Sequence, residues 1–304
     1  MDYILNFKPI QKQNCDCYDM MLWNYAAQLN LDITLSFIDT FNFEYGVLSE
    51  KAMSSTMVLR AEHSSPQVLS RYCGLQIISE ASQLSEETIE RYIRRQNKAI
   101  GVQMDSFFLP WNPYYRQAHR KHYLLIIGFN SNSYICSDVF FSTAFVLISK
   151  KDILKNAVNY IFFEQVTIQP LKMENILKDL KNSLTEKHEK NLLRFKQDVK
   201  KLPNDDSSDD VHNSSLIFSL AIVKWNRKNY ALALNKAQAL LASSLFSHIS
   251  AEADDSSVLW DKTQILLMKA LILRNRKELY ERACSIISRI IEKEKSIWRQ
   301  IQNF

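Results

Sequence analysis

The distribution of glycine and proline divides the chain into two parts of different character. All four glycines and five of the six prolines lie before residue 171. These residues favour the turns between strands, whereas a long stretch almost free of them permits long helices. The chain has 304 residues, which is long enough for two modest domains. We therefore predict a strand-containing domain at residues 1–170 and a helical domain at residues 171–304.

The first part contains short apolar runs bounded by turn residues, a pattern typical of strands. The runs are AIGVQM (99–104), YLLIIGF (123–129), YICSD (134–138), AFVLIS (144–149) and YIFFEQVTI (160–168). The polar NSNS segment at 130–133 predicts a hairpin between the second and third runs. Ser149 and Asp152 resemble a capping box and predict a short helix between the last two.

After Leu171 the apolar residues recur at helical spacing, with charged residues between them. This pattern predicts an all-α bundle whose charged residues face solvent. The polar segment PNDDSSDD predicts a flexible loop at about residues 203–212, and Arg274–Arg276 mark a break in the last helix. The sequence thus indicates an α+β fold followed by a helical domain, and it leaves open whether the second part supports a homodimer.

Composition and charge exclude several classes of protein. Hydrophobic residues make up 46% and charged residues 23%, which is ordinary for a globular protein and excludes collagen-like and disordered chains. We expect no membrane span, no signal peptide and a cytoplasmic location, because no long uncharged apolar stretch exists. The 38 basic and 33 acidic residues are mixed along the chain. We therefore expect no nucleic-acid partner, since such binders usually concentrate their basic residues.

The five cysteines are scattered, which argues against a disulfide framework. Cys15 and Cys17 are separated by a single residue, whereas zinc-binding pairs usually have at least two residues between them and a second pair elsewhere. We expect neither a bound metal nor a bound cofactor.

Cys17 is a candidate nucleophile because it opens the amphipathic segment CYDMMLWNYAAQLN. A cysteine in the first turn of a helix lies near the positive end of the helix dipole, which favours the thiolate. His122 begins one predicted strand and Asp138 ends the next. Because the hairpin between these strands is antiparallel, His122 and Asp138 should meet at the same end of the sheet. An aspartate beside an imidazole is the arrangement that a Cys/His/Asp triad requires.

The order cysteine, histidine, aspartate resembles that of papain-like thiol enzymes. Gln11 precedes Cys17 by six residues, as does the oxyanion-hole glutamine of the bacteriocin-processing thiol peptidases. The segment DSFFLPWNPYYRQAHRKHYLLIIGF is similar to a stretch before the histidine strand in the family named for the N-terminal domain of butirosin biosynthesis protein H. The resemblance covers about residues 5–168 and implies a papain-like fold, with a nucleophile-bearing helix against an antiparallel sheet.

This resemblance also implies a reaction. Cys17 would take an acyl group from the phosphopantetheine arm of an acyl or peptidyl carrier protein and pass it to an amine-bearing small molecule. His122 would move the proton, Asp138 would orient His122, and Gln11 would help to hold the oxyanion. The aromatic segment 105–119 would lie over the cleft, either as packing or as a lining for the acyl group.

Two questions stay open from the sequence. Family members often have asparagine before the nucleophile, as Asn14 precedes Cys15, but the apolar stripe of the helix and the turn at Asn30 favour Cys17. The acceptor is equally open. Cyclisation within the acyl chain or cleavage of a peptide would use the same residues, and a partner-binding scaffold without chemistry is the non-enzymatic alternative.

Overall fold

A computed structural model describes residues 2–47, 57–60, 65–142, 145–184, 187–202, 214–273 and 277–304. The chain forms two compact units: Met1–Ile33 with Leu69–Gln169, and Thr34–Val68 with Pro170–Phe304. The sequence placed residues 1–170 in one continuous domain. In the structure, the segment 34–68 instead belongs to the helical unit.

The first unit is built on an antiparallel sheet of seven strands. Its strand order is β4-β9-β5-β6-β7-β8, and β1 pairs with β6. The strands are β1 (Tyr3–Ile4), β4 (Leu75–Ala81), β5 (Ile100–Asp105), β6 (Lys121–Phe129), β7 (Ser133–Ser137), β8 (Phe145–Ser149) and β9 (Ala157–Gln165). The predicted NSNS hairpin joins β6 to β7, with Leu125 opposite Ser137. The α+β class with an antiparallel sheet is confirmed.

Four helices accompany these strands: α1 (Cys17–Gln28), α2 (Pro66–Cys73), α3 (Glu86–Gln96) and α4 (Lys150–Asn156). Helix α1 ends at Gln28, and the turn predicted at Asn30 follows it, with a left-handed backbone at Asn30 (φ 54°) that asparagine tolerates. Ser149 caps α4 by accepting a hydrogen bond from the backbone N–H of Asp152 at 3.0 Å. The short helix predicted from Ser149 and Asp152, with Ser149 as its cap, is therefore confirmed.

Helix α1 lies close against β5 and β6. A Cβ atom added at Gly101 would come within 2.9 Å of Met21 Sδ, so glycine permits this approach. The rings of Tyr18 in α1 and Tyr123 in β6 pack edge to face, with centroids 5.0 Å apart. The face of the sheet that contains Gly101 and Tyr123 is therefore the one that α1 covers.

The second unit combines a two-stranded sheet with long helices. Its elements are β2 (Glu44–Val47), β3 (Met57–Arg60), α5 (Met173–Asn182), α6 (Lys187–Val199), α7 (Ser215–Leu240), α8 (Ser247–Ile272) and α9 (Lys277–Gln302). Segment 34–68 joins this unit through aromatic packing: the ring of Phe43 stacks on Trp260, with centroids 5.5 Å apart. The C-terminal helical region is confirmed. The predicted loop at 203–212 and the break at Arg274–Arg276 lie outside the described residues.

One charged cluster of the second unit departs from the prediction that its charges face solvent. The carboxylate of Glu294 is fully buried and accepts hydrogen bonds from Arg227 Nε at 2.8 Å and from His188 Nε2 at 2.7 Å. Ser256 and Trp260 also donate to it. Burial alone would raise the pKa of Glu294, but Arg227 and His188 outweigh it and hold that pKa well below the usual range.

None of the helices in the described residues is long and apolar enough to cross a lipid bilayer.

Candidate active site

His122 and Asp138 form a buried pair at the end of the β6–β7 hairpin. The imidazole Nε2 lies 2.8 Å from Asp138 Oδ2, and both residues are 2% exposed. His122 is the second residue of β6 and Asp138 directly follows β7, so the antiparallel pairing places them side by side. This is the juxtaposition that the hairpin predicted. The rings of Phe140 and Phe141 pack near the imidazole, with centroids 6.2 and 5.1 Å away.

Trp111, which no sequence pattern indicated as a site residue, completes this cluster. The indole Nε1–H of Trp111 donates to Asp138 Oδ2 at 2.7 Å, so one carboxylate oxygen is shared by Trp111 and His122. The backbone N–H of Phe141 donates to the other oxygen, Oδ1, at 3.4 Å. The sequence offered one signal, the aromatic segment that contains Trp111, but no spacing rule connects position 111 with position 138.

Cys17 is the first residue of α1, as the sequence predicted. Asp16 caps the helix, with its Oδ1 accepting the backbone N–H of Asp19 at 2.9 Å. Cys15 lies before the helix; it is 5% exposed, and its Sγ lies 3.5 Å from the backbone carbonyl of Gln13. Of the two cysteines, only Cys17 occupies the helix start.

The electrostatic surroundings of Cys17 differ from the expectation of an activated thiolate. Burial raises the pKa of the Cys17 thiol, and the nearby carboxylates of Asp16, Asp138 and Asp19 raise it further. A hydrogen bond with the backbone of Tyr123 works in the opposite direction but is outweighed. The thiol is therefore protonated near neutral pH. The helix-dipole prediction was incomplete because the sequence did not show that acidic side chains and burial would oppose it.

Cys17 and His122 are not joined by a hydrogen bond in the described part of the chain. His122 directly precedes Tyr123, whose ring packs against Tyr18 in α1. A small cavity of about 10 Å³ beside Cys17 is bordered by Asp138 and Phe140. The structure thus pairs His122 with Asp138 and brings Cys17 near Asp138, without a hydrogen bond between Cys17 and His122 among the described residues.

Gln11 is exposed and lies in the segment that leads into α1. The preceding residue, Ile10, is fixed to the helix by the buried side chain of Asn24. The Asn24 amide accepts the Ile10 N–H at 2.8 Å and donates to the Ile10 carbonyl at 2.9 Å. Asn24 also donates to the carbonyl of Met20 at 2.9 Å. Asn24 was not recognised in the sequence, and it holds the chain next to Gln11 in place.

A second histidine–aspartate pair joins the two ends of the aromatic segment 105–119. His119 Nδ1 is 2.6 Å from Asp105 Oδ2, and the imidazole stacks on the Phe107 ring with centroids 4.4 Å apart. Partial burial would raise the pKa of Asp105, but the hydrogen bond from His119 outweighs burial, so the pKa is lowered. The side chain of His119 is 68% exposed, so this pair is a surface feature that supports the aromatic segment.

The residues of this site do not form a metal centre. Among the described residues, no group of three or more histidine, cysteine, aspartate or glutamate side chains is placed to hold an ion. No protein-family model matches the sequence, and a comparison with curated proteins also gives no match.

Proposed function

We propose that this protein is a cysteine-dependent acyltransferase with a papain-like arrangement of catalytic residues. It would take an acyl group from the thioester of a cytoplasmic carrier protein and transfer it to an amine, forming an amide. The observation that carries this proposal is the buried His122–Asp138 pair. It lies next to Tyr123, the residue whose backbone contacts the Cys17 thiol.

The proposed reaction has two balanced steps. In the first, the Cys17 thiol gives its proton to His122, and Sγ bonds to the thioester carbonyl carbon. The bond between that carbon and the pantetheine sulfur breaks, and His122 returns the proton to the departing sulfur. In the second, the amine nitrogen bonds to the same carbon and the bond to Cys17 breaks. The amine proton passes through His122 to the Cys17 sulfur.

Each residue has a role that its surroundings support. Asp138 fixes the orientation of His122, because its Oδ2 holds the Nε2 and leaves the other ring nitrogen for proton transfer. The backbone N–H groups at the start of α1 and the side chain of Gln11 would stabilise the oxyanion. Since no hydrogen bond joins Cys17 to His122, the reaction also requires that substrate binding bring the thiol and the imidazole together.

Intact-protein mass spectrometry tests the proposal directly. The protein is mixed with acyl-pantetheine and with acyl-carrier thioesters, beside the Cys17→Ala and Cys15→Ala variants. We expect an acyl adduct that is lost only in Cys17→Ala and that disappears when an amine acceptor is added. Loss only in Cys15→Ala would contradict the assignment of the nucleophile. Cleavage of test peptides without any adduct would indicate a peptidase.

The second candidate is a partner-binding scaffold that has the fold without the chemistry. Two observations favour it: the raised pKa of the Cys17 thiol and the cavity of about 10 Å³ beside it, which has room for roughly one water molecule. The same experiment separates the candidates, because a scaffold would form no adduct with any thioester and would cleave no peptide.

A further inference from the structure

The sheet-containing unit has a cleft of about 460 Å³ that includes Trp111 in its wall. This volume lies within the range of about 300–1,000 Å³ that is typical of small-molecule sites. Its apolar lining comes from four aromatic side chains of the segment after β5 and from two residues of the edge strand β8: Phe107, Phe108, Trp111, Tyr115, Leu147 and Ile148. Four polar side chains, those of Arg116, Ser149, Asp152 and Asn156, also line the cleft.

The walls of this cleft are held by specific contacts. The carboxylate of Asp105 accepts the backbone N–H of Phe107 at 3.0 Å and also pairs with His119, which stacks on the Phe107 ring. The Phe107 and Phe108 rings meet edge to face, with centroids 5.3 Å apart. The backbone N–H of Arg116 closes the segment by donating to the carbonyl of Phe107 at 3.2 Å. These contacts within the chain fix the aromatic wall.

Two large apolar side chains of the cleft remain open to solvent. Phe108 is 42% exposed and Leu147 is 62% exposed. A cleft whose exposed apolar side chains belong to a fixed wall is typical of a ligand site, because covering those side chains removes apolar surface from water. Trp111 connects this cleft to the candidate active site, since its ring lines the cleft and its N–H donates to Asp138.

We propose that this cleft binds the acyl group of the thioester donor and favours acyl groups that carry an aromatic ring. This inference rests on the proposed acyltransferase function and adds the substrate class. An aromatic ring can stack on, or meet edge to face, the four rings of the wall, which an aliphatic chain of similar length cannot do. Because Trp111 both lines the cleft and donates to Asp138, an acyl group in the cleft would lie close to the Asp138–His122 pair.

Binding is measured first with probes that cannot react. Amide analogues of the pantetheine thioester, carrying 3-phenylpropanoyl, octanoyl or acetyl groups, are titrated calorimetrically into the Cys17→Ala protein. We expect the phenylpropanoyl probe to bind at least about tenfold more tightly than the acetyl probe, and more tightly than the octanoyl probe. Equal affinities for the phenylpropanoyl and acetyl probes would overturn the inference. An octanoyl probe that binds as tightly as the aromatic one would overturn the preference for a ring.

A pair of matched variants locates the binding. Leu147→Trp fills the cleft from the exposed side of β8, whereas Val158→Trp makes the same kind of change at a 52% exposed aliphatic residue of β9, outside the cleft. We expect Leu147→Trp to weaken phenylpropanoyl binding at least about tenfold and Val158→Trp to leave it unchanged. Phe108→Ala, a second change in the wall, should also weaken it. Unchanged binding in both cleft variants would overturn the inference.

The outcomes for the cleft and for the function can be told apart. If the probes bind as expected but no thioester acylates Cys17, the cleft is an arylacyl site and the proposed acyl transfer fails. If phenylpropanoyl- and acetyl-pantetheine acylate Cys17 at equal rates, and Leu147→Trp changes neither rate, acyl transfer stands and the cleft inference fails.

Discussion

The indole nitrogen of Trp111 lies 2.7 Å from Oδ2 of Asp138. The same oxygen is 2.8 Å from Nε2 of His122, so the tryptophan and the histidine hold the carboxylate from two sides. A hydrogen bond to a buried charged group contributes more than one between neutral groups. Trp111 is therefore a positioning residue for the pair that the proposed reaction uses.

Replacing this indole should slow acylation without weakening substrate binding. In Trp111→Phe a ring remains in the cleft but the N–H is lost, along with about 1.5–3 kcal/mol of hydrogen bonding to the carboxylate. We expect acyl-enzyme formation to slow by about tenfold or more, with the thioester concentration at half-saturation nearly unchanged. Single-turnover mass spectrometry measures both quantities. Trp298→Phe, in the helical unit, serves as the control and should change neither quantity. If Trp111→Phe changed only the thioester concentration at half-saturation and not the acylation rate, the positioning role would be contradicted.

The sequence could predict the His122–Asp138 contact because it depends on local rules. Two apolar runs around NSNS determine the hairpin, and antiparallel pairing then determines which residues meet. Trp111 could not be assigned in this way, because its contact with Asp138 depends on how an irregular segment of aromatic residues folds. Helical periodicity likewise placed Cys17 in the first turn of α1, but it contained no information on the burial that raises the pKa of the thiol.

The predicted division into residues 1–170 and 171–304 did not include the assignment of segment 34–68 to the second unit, for a related reason. The end of the first unit near residue 169 follows from the change in composition, whereas the transfer of Thr34–Val68 to the helical unit follows from packing. Phe43 packs against Trp260, more than two hundred positions away, and Tyr45 donates to Asp198 at 2.8 Å. Residues that are adjacent in sequence give no indication of such partners.

The raised pKa of Cys17 predicts a slow reaction with alkylating agents. Only the thiolate reacts with such agents. Burial is the main cause that raises the pKa of the Cys17 thiol, and the carboxylates of Asp16, Asp138 and Asp19 raise it further, so the thiol stays protonated. We expect iodoacetamide to alkylate Cys17 at pH 7 at least about tenfold more slowly than a free cysteine, whose pKa is about 8.5. The rate should still be rising at pH 9. Peptide mapping by mass spectrometry identifies the modified cysteine.

Asp16→Asn tests the cause of this slow alkylation. The variant keeps an oxygen that can accept the Asp19 N–H, so the helix cap survives, but it removes the negative charge next to the thiol. The pKa of Cys17 should fall and alkylation should accelerate. Asp152→Asn, in the first turn of α4, is the matched control and should have no effect. Rapid alkylation of the wild-type protein at pH 7 would instead indicate a thiolate paired with an imidazolium.

Gln11 provides a test of oxyanion stabilisation that does not disturb the fold. Its side chain is exposed, so Gln11→Ala should leave the urea unfolding midpoint unchanged. Removing one oxyanion-hole donor typically slows catalysis by about 100- to 1,000-fold, and we expect acylation of Cys17 to slow by about 100-fold. Gln13→Ala changes an exposed glutamine two positions away and should retain the wild-type rate. Equal rates in the two variants would remove Gln11 from the mechanism.

The buried Glu294 cluster predicts how the second unit responds to mutation. In Glu294→Gln the guanidinium of Arg227, which is fully buried, loses its charged partner. Breaking a buried ion pair from one side costs about 3–5 kcal/mol. We expect that loss in the free energy of unfolding at pH 7, measured in urea by circular dichroism at 222 nm. Glu292→Gln, an exposed change two residues earlier, should cost less than about 0.5 kcal/mol.

The same cluster fixes the sign of the response to acid. The pKa of Glu294 is lower in the folded protein than the value of about 4.3 expected when the chain is unfolded, so the unfolded state binds the proton first. The stability that Glu294 contributes is therefore fully present above about pH 5 and is lost progressively as the pH falls below about 4.3. Glu294→Gln should flatten this part of the stability curve, because glutamine does not titrate. A variant that lost stability with acid as steeply as the wild type would show that other carboxylates control the transition.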